Sequence, residues 1–275
     1  MIPTGGMPTL SALRLVERTE DRQIEQIRKS PEHARAISIF RERMRDVETV
    51  DDLMKDRDLY VFVMKSFDLE DQIFGKGLIK KALESDINDK SSLISRLTDP
   101  RIKELYKVLD FRNGGTLNFN TLSSRWREEM VDRYLERQFI NGHKETNAPL
   151  GEILEFRKKV PGIKSWFDVL KDKPLYAFMR TALGVPDSIV KLDVDKAADW
   201  FERKFPLDGF KDPKQVAKLE RQYSALSDTA NGVGGFSPGS GALQLLAMGG
   251  QRAGSARIVT IDVALISSVP RFPYR

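Results

Sequence analysis

The residue types that most often carry acid/base or metal chemistry are scarce in this sequence. Its 275 residues include no cysteine and only two histidines, His33 and His143. Without cysteine there is no thiol nucleophile, disulfide, thiolate zinc site or iron–sulfur cluster. His33 falls in the first turn of a predicted helix and His143 just after the predicted end of another. Neither has a second ligand at metal-binding spacing, so we expect surface or capping roles for both rather than catalysis.

Carboxylates are the other candidates for chemistry. Adjacent acids such as Glu70-Asp71 and Glu128-Glu129 are frequent, but a pair works as an acid/base site only in a pocket that moves the two pKa values apart. The segment that starts at Asp86 resembles the opening of a calcium loop, yet its sixth and twelfth positions are Ser91 and Leu97, where glycine and glutamate are needed. We therefore expect no catalytic, cofactor-binding or metal-binding residue.

Three tryptophans, Trp126, Trp166 and Trp200, are the remaining candidates for a recognition surface. Each occupies an apolar position of a helical pattern, which favours the core over an exposed aromatic patch. The dipeptides Lys55-Asp56 and Lys171-Asp172 recur, and recurrence of this kind indicates a shared turn geometry more often than a shared site.

Composition and charge are those of a soluble globular protein, with 40% hydrophobic, 9% aromatic and 31% charged residues. The net charge is +5, of which +3 comes from the four arginines and one aspartate after residue 230. The preceding 41 basic and 39 acidic residues are interleaved, as is typical of solvated helix faces. Nucleic-acid binding would need the tail arginines and body lysines on one continuous face, and we do not expect it.

Apolar residues recur at helical spacing through most of the chain, which predicts an all-α fold. Three start signals, Ser30-Pro31, Asp99-Pro100 and Asp212-Pro213, each precede an apolar stripe. Asn141-Gly142 is interpreted as the stop signal of the longest helix. Further helices are predicted at 59–67, 73–83, 93–97, 122–140 and 150–159. No stretch is long and apolar enough for a membrane-spanning helix, and the first ten residues do not form a cleavable secretory signal.

An internal similarity relates residues 52–62 to residues 168–178 at a constant offset of 116. Downstream, Asp99-Pro100 and Asp212-Pro213 are related at an offset of 113. In both copies a short helix ends at a Lys-Asp turn, and a second helix presents Leu, Tyr and Phe. We predict two related helical units, near 48–111 and 164–227, that share one core in a pseudo-symmetric domain over residues 10–230.

The two ends of the chain differ from this domain. Residues 1–9 are predicted to form a flexible N-terminus. Residues 231–275 have the Gly/Ser-rich composition of a linker, without the Gly-Lys-Ser/Thr of a phosphate-binding loop. Within this tail the β-branched run 258–266 predicts one short strand or a docking peptide.

Several segments taken together resemble the DUF1217 family of bacterial proteins. Upstream, Phe40-Arg41-Glu42-Arg43 and Asp68-Leu69-Glu70-Asp71 resemble members from α-proteobacteria. The segments in the second half that carry the resemblance are Leu150–Lys159, Trp166–Asp172, Ala182–Pro186 and Lys211–Pro213. The resemblance covers residues 10–226 and leaves the glycine-rich end unmatched.

The resemblance implies an all-α protein without an established biochemical activity, often encoded among flagellar genes. It supplies no catalytic residues. We expect a non-enzymatic, flagellum-associated interaction protein with protein partners among basal-body or export components. It would be cytoplasmic, or alternatively exported through the flagellar apparatus without a cleaved signal. The other hypotheses are a helical enzyme with a carboxylate acid/base site and, third, a nucleic-acid-binding regulator. The oligomeric state is left open.

Overall fold

The computed structural model describes residues 1–185 and 193–232. In these residues the chain forms fourteen α-helices and no strand beyond one isolated bridge between Arg112 and Leu117. The all-α fold predicted from the periodicity is therefore confirmed. No helix among them is long and apolar enough to cross a bilayer. The predicted strand 258–266, and the tail beyond Gly232, lie outside the described residues.

The helices are numbered in chain order. They are α1 (Thr9–Glu17), α2 (Glu20–Lys29), α3 (Pro31–Arg43), α4 (Val50–Lys55), α5 (Arg57–Ser66), α6 (Lys76–Leu83), α7 (Leu93–Arg96), α8 (Pro100–Leu109), α9 (Ser124–Thr146), α10 (Ala148–Lys159), α11 (Trp166–Lys171), α12 (Lys173–Leu183), α13 (Val194–Lys204) and α14 (Pro213–Ala230). Short 3₁₀ turns follow several of them, and a single cluster of buried apolar side chains runs from α1 to α14.

Two sequence-based helix boundaries are wrong. Residues Glu70–Gly75 form a 3₁₀ turn, so α6 begins at Lys76 rather than at Ile73. Helix α9 does not end at Asn141-Gly142 but continues to Thr146. Gly142 does not adopt the left-handed conformation that ends a helix, and the side chain of Met1 packs where its Cβ would lie. His143 consequently lies inside α9.

The short helices α4 and α11 begin with the same capping box. Thr49 accepts a hydrogen bond from the backbone N–H of Asp52, and the Asp52 carboxylate accepts one from the backbone N–H of Thr49. Ser165 and Asp168 repeat this exchange 116 residues later. Each box satisfies two N–H groups that the first helical turn leaves without a partner.

The Lys-Asp turns that follow these helices also match. Asp56 and Asp172 cap α5 and α12, each accepting from backbone N–H groups of the first turn. Each aspartate also binds a cation at the end of the preceding long helix. The nitrogen–oxygen distance is 3.1 Å from Arg43 to Asp56 and 2.6 Å from Lys159 to Asp172. The shared turn geometry predicted for the two dipeptides is therefore present.

The 116-residue offset relates a first segment, α3 to α5 (31–66), to a second segment, α10 to α12 (148–183), and a stack of three aromatic rings includes two phenylalanines of each. The first stack consists of Phe40, Phe62 and Tyr134, and the second of Phe156, Phe178 and Tyr223. Neighbouring ring centroids are 4.0 to 4.3 Å apart and nearly parallel. The phenylalanines again differ by 116 residues, which extends the internal similarity upstream to α3 and α10.

The similarity between α8 and α14 does not extend as far. Asp99 and Asp212 both cap a helix that begins with proline. However, the tyrosine of the first stack comes from α9 and that of the second from α14. Helix α14 therefore resembles α8 in its N-cap and α9 in its ring contact. The pseudo-symmetry of the whole domain remains a prediction.

Helix α1 is capped by a side chain of α14, which is distant in the sequence. Its N-cap residue, Pro8, has no polar side chain. Asp228 of α14 accepts instead from the Thr9 backbone N–H at 2.9 Å and from the Thr9 hydroxyl at 2.5 Å. Before α1, Thr4 is buried and its hydroxyl lies 3.1 Å from that of Thr146. These contacts place the N-terminus against α9 and α14, and its flexibility remains a prediction.

Candidate functional site

Both histidines have structural surroundings. Nδ1 of His33 lies 2.8 Å from the Tyr134 hydroxyl, at the edge of the first ring stack. Burial lowers the pKa of His33 and raises the pKa of Tyr134 to about 12. His143 is fully buried, packs edge-on against Phe139, and has no hydrogen-bond partner at either ring nitrogen among the described residues. Its interior position contradicts the expected surface or capping role.

The adjacent carboxylates of the sequence diverge into separate ion pairs. Asp71 lies 3.2 Å from Arg101. Glu128 binds Arg41 at 2.7 Å, whereas Glu129 binds Arg125 at 2.9 Å. In the described part of the chain no three His, Asp or Glu side chains are grouped to hold a metal ion. The aspartates of the calcium-like loop, Asp86 and Asp89, accept from the backbone N–H two residues on, as in ordinary turns.

A group of buried and partly buried charges lies in a cleft of about 390 Å³ between α9, α10 and the start of α12. Arg137 forms a two-pronged ion pair with Glu155. Lys159 lies 3.3 Å from Glu155 and 2.6 Å from Asp172. Arg101, at the edge of the cleft, binds Asp99 at 2.8 Å. Each of these groups is thus engaged by another side chain.

The pKa values in this cleft follow from that pairing. Burial raises the pKa of the Glu155 carboxyl, but the hydrogen bonds and charges of Arg137 and Lys159 outweigh it, so the net shift is downward. Burial, with the positive charge of Arg137, lowers the pKa of Lys158 despite its ion pair with Glu136. Two carboxyl groups with opposed shifts do not meet here, which is the arrangement that an acid/base site would require.

The tryptophans belong mainly to the packing of the protein. Trp166 is buried and stacks on Phe201, and its indole N–H donates to Glu202 at 2.7 Å. Trp126 is partly buried and donates to a backbone carbonyl of α8. Trp200 is partly buried against Phe201. They do not form one aromatic patch together, in agreement with the core interpretation.

A groove of about 340 Å³ lies between α3 and α5. The two helices are antiparallel, because Arg43 at the end of α3 binds Asp56 at the start of α5. The floor of the groove is apolar and is formed by Ala36, Ile39, Val61, Phe62 and the ring of Tyr134. The first stack therefore supports the floor from below, since Phe62 and Tyr134 belong to both.

Charged side chains form the rim of this groove. Three are cations, Arg35, Arg57 and Lys65, and none of them has an ion-pair partner among the described residues. The two rim acids are Glu32 and Asp58, at opposite ends of the groove, and Asp58 lies 3.8 Å from Arg43. An apolar floor with unpaired cations around it is able to bind an apolar surface that carries negative charge.

The helices, their caps and the ring stacks define an all-α protein. The chain belongs to DUF1217, a family of proteins of unknown function, whose model matches residues 66–216, more than half of its length. The family inferred from the resemblance is therefore confirmed.

The structure also resembles a crystal structure of a protein from Agrobacterium tumefaciens. The TM-score is 0.71 and the sequences are 28% identical, over 84% of this chain and 97% of the other. No curated protein matches the sequence.

Sequence reasoning missed the groove. The apolar stripe that follows Ser30-Pro31 includes Ile37 and Phe40, and both are buried. Arg35 and Ile39 lie on the other side of that helix, and their pairing with the Val61 face of α5 depends on how the two helices pack. The available signal was limited to α5, where neither Arg57 nor Lys65 has an acid three or four residues away within the helix.

Proposed function

We propose that this protein is a non-enzymatic interaction protein that binds another protein through the groove between α3 and α5. The observation that carries the proposal is the contrast between the groove and the buried charges. The acids and bases of the cleft between α9 and α10 neutralise one another, whereas the cations around the groove have no ion-pair partner among the described residues. A binding surface needs exposed, uncommitted groups next to apolar area.

The flagellar context of the proposal comes from the family resemblance given above. In that context the protein acts as an assembly factor, or as a component that the flagellar export apparatus handles. Its partners would be basal-body or export components. It would act in the cytoplasm, or leave it through the flagellar apparatus without a cleaved signal.

The enzyme hypothesis is the alternative, with the cleft around Glu155 and Lys159 as its site. We favour the hypothesis of an interaction protein because both side chains already form ion pairs, which join α10 to α9 and α12. The nucleic-acid hypothesis is third, since Glu32 and Asp58, at the two ends of the groove, would repel phosphates.

The test is an affinity pull-down from a motile culture combined with complementation of a gene deletion. The full chain is compared with Val61→Asp, which charges the groove floor, and with Phe74→Asp, which alters an almost fully exposed phenylalanine on the 3₁₀ turn before α6. A chain truncated after Gly232 tests the tail. We expect Val61→Asp to lose flagellar partners and the ability to restore swimming, and Phe74→Asp to keep both. Swimming and flagellar number that are unchanged by the deletion would contradict the proposal.

A further inference from the structure

We infer that the groove between α3 and α5 binds an amphipathic helix of a partner protein, with carboxylates flanking its apolar stripe. This inference rests on the proposed function and specifies the chemistry of the partner. The apolar stripe would pack on Ile39 and Val61. The carboxylates would pair with Arg35, Arg57 and Lys65, which have no ion-pair partner in the described structure.

The shape of the groove suits a helix. Helices α3 and α5 have 13 and 10 residues, so their shared length is about 15 Å at 1.5 Å per residue, or roughly three turns. Two antiparallel helices with small and branched residues between them, here Ala36, Ile39 and Val61, leave a shallow channel parallel to their axes. A third helix presents apolar residues three and four positions apart along such a channel.

The second segment shows a helix on the corresponding face. Gly151 and Glu155 of α10 lie 116 residues after Arg35 and Ile39. There α9 approaches so closely that a Cβ on Gly151 would lie 2.5 Å from the Cα of Lys144, and Arg137 of α9 binds Glu155. In the first segment the long side chain of Arg35 replaces this glycine and is exposed. Among the described residues, the face of α3 that carries Arg35 and Ile39 consequently stays open.

The charges select among possible occupants. The tail after residue 230 carries four arginines and one aspartate, so it would be repelled by the three cations of the rim. A uniformly anionic polymer would meet Glu32 and Asp58 at the two ends of the groove. A helix whose carboxylates lie opposite the cations, and whose ends are uncharged or basic, is complementary both to the rim cations and to the two rim acids.

The first experiment identifies the occupant by photocrosslinking. The photoreactive residue p-benzoylphenylalanine replaces Ile39 in the full chain, and replaces Phe74 as the matched control, in the motile strain. Mass spectrometry then maps the crosslinked peptide. We expect the Ile39 position to crosslink one acidic, amphipathic segment of another protein that the Phe74 position does not capture. Crosslinks to residues 233–275, to a second copy or to nucleic acid would overturn the inference, as would the absence of a crosslink.

The second experiment tests the charges with a synthetic peptide of the mapped segment. Fluorescence anisotropy measures its affinity for the full chain and for Arg35→Glu, Arg57→Glu and Lys65→Glu. We expect each reversal to weaken binding about two- to fivefold, the effect of one exposed ion pair. Lys90→Glu, an exposed cation outside the groove without an ion-pair partner, is the control and should bind as the original chain does.

The two proposals can fail separately. If Val61→Asp abolishes capture of flagellar proteins but the three reversals change nothing, the groove is a binding site and the acidic helix is wrong. If neither kind of variant changes capture or swimming, the proposed function is wrong as well. Equal weakening by Lys90→Glu would show a general charge effect and would also overturn the inference.

Discussion

His143 is a titratable residue held in an apolar interior. Its imidazole is fully buried on α9, edge-on to Phe139, with a ring-centroid distance of 4.8 Å. Neither nitrogen has a hydrogen-bond partner in the described residues. Burial, and secondarily the positive N-terminal amino group, lowers the pKa of His143 below its usual 6.5. The neutral imidazole is thus the form that the folded protein accepts.

We expect His143 to make the protein less stable in acid. Between the lowered folded-state pKa and about 6.5, the unfolded chain binds more protons than the folded chain, so the free energy of unfolding falls as the pH falls. Relative to His143→Leu, the original chain should lose up to about 1.4 kcal/mol per pH unit below pH 6.5. Urea unfolding at pH 7.5 and 5.5 measures the difference, to which His33 contributes equally in both proteins. Parallel pH dependences would contradict the prediction.

Helices α9 and α10 contact each other at Gly151, where there is no room for a larger residue. The backbone of α9 at Lys144 occupies the space where a Cβ on Gly151 would project. Gly77 in α6 is the opposite case, since no atom lies within 4 Å of its Cβ position. The two glycines therefore have different roles, although both are helical.

We expect Gly151→Ala to lower the free energy of unfolding by about 1 to 3 kcal/mol, because the added methyl group forces α9 and α10 apart. Gly77→Ala should leave it unchanged or raise it by less than about 1 kcal/mol, because alanine is the better helix former. Chemical denaturation of both variants is the measurement. A Gly151→Ala variant as stable as Gly77→Ala would show that the helices do not meet as described.

Helix beginnings that carry a capping aspartate could be predicted from the local sequence. The N-caps at Asp99 and Asp212, and the two Lys-Asp turns, depend on neighbouring residues and could be predicted locally. The end of α9 could not, because Gly142 stays helical next to Met1, a residue 141 positions away. The groove could not be predicted either, because it depends on how α3 and α5 pack. That packing also leaves Arg35 and Lys65 without an ion-pair partner among the described residues.

At the scale of the whole molecule, the contact between Thr9 and Asp228 joins the first helix to the last. Arg157 of α10 strengthens this closure, binding Glu17 of α1 at 2.5 Å and Glu220 of α14 at 2.6 Å. Glu220 is almost fully buried, and this arginine is its ion-pair partner. Three helices that are distant in sequence are thereby held together by polar contacts as well as by the core.

We expect Asp228→Ala to lower the free energy of unfolding by about 1 to 2 kcal/mol, the usual cost of losing a helix N-cap. Asp208→Ala, which removes an exposed carboxylate paired only with Lys211, is the matched control and should leave the melting temperature unchanged. Thermal unfolding followed by circular dichroism compares them. A loss of stability that is no larger for Asp228→Ala than for the control would mean that α1 is not held by this cap.

The closure of α1 by Asp228 also sets an order of events during synthesis. At 5 to 20 residues per second, the 211 residues between Glu17 and Asp228 take about 10 to 40 s to be added. For most of that interval the first helix lies outside the ribosome, but the residue that caps it does not yet exist. The side of α1 that packs on α14 therefore stays exposed in the nascent chain until α14 has been added, later than the side that packs on α10.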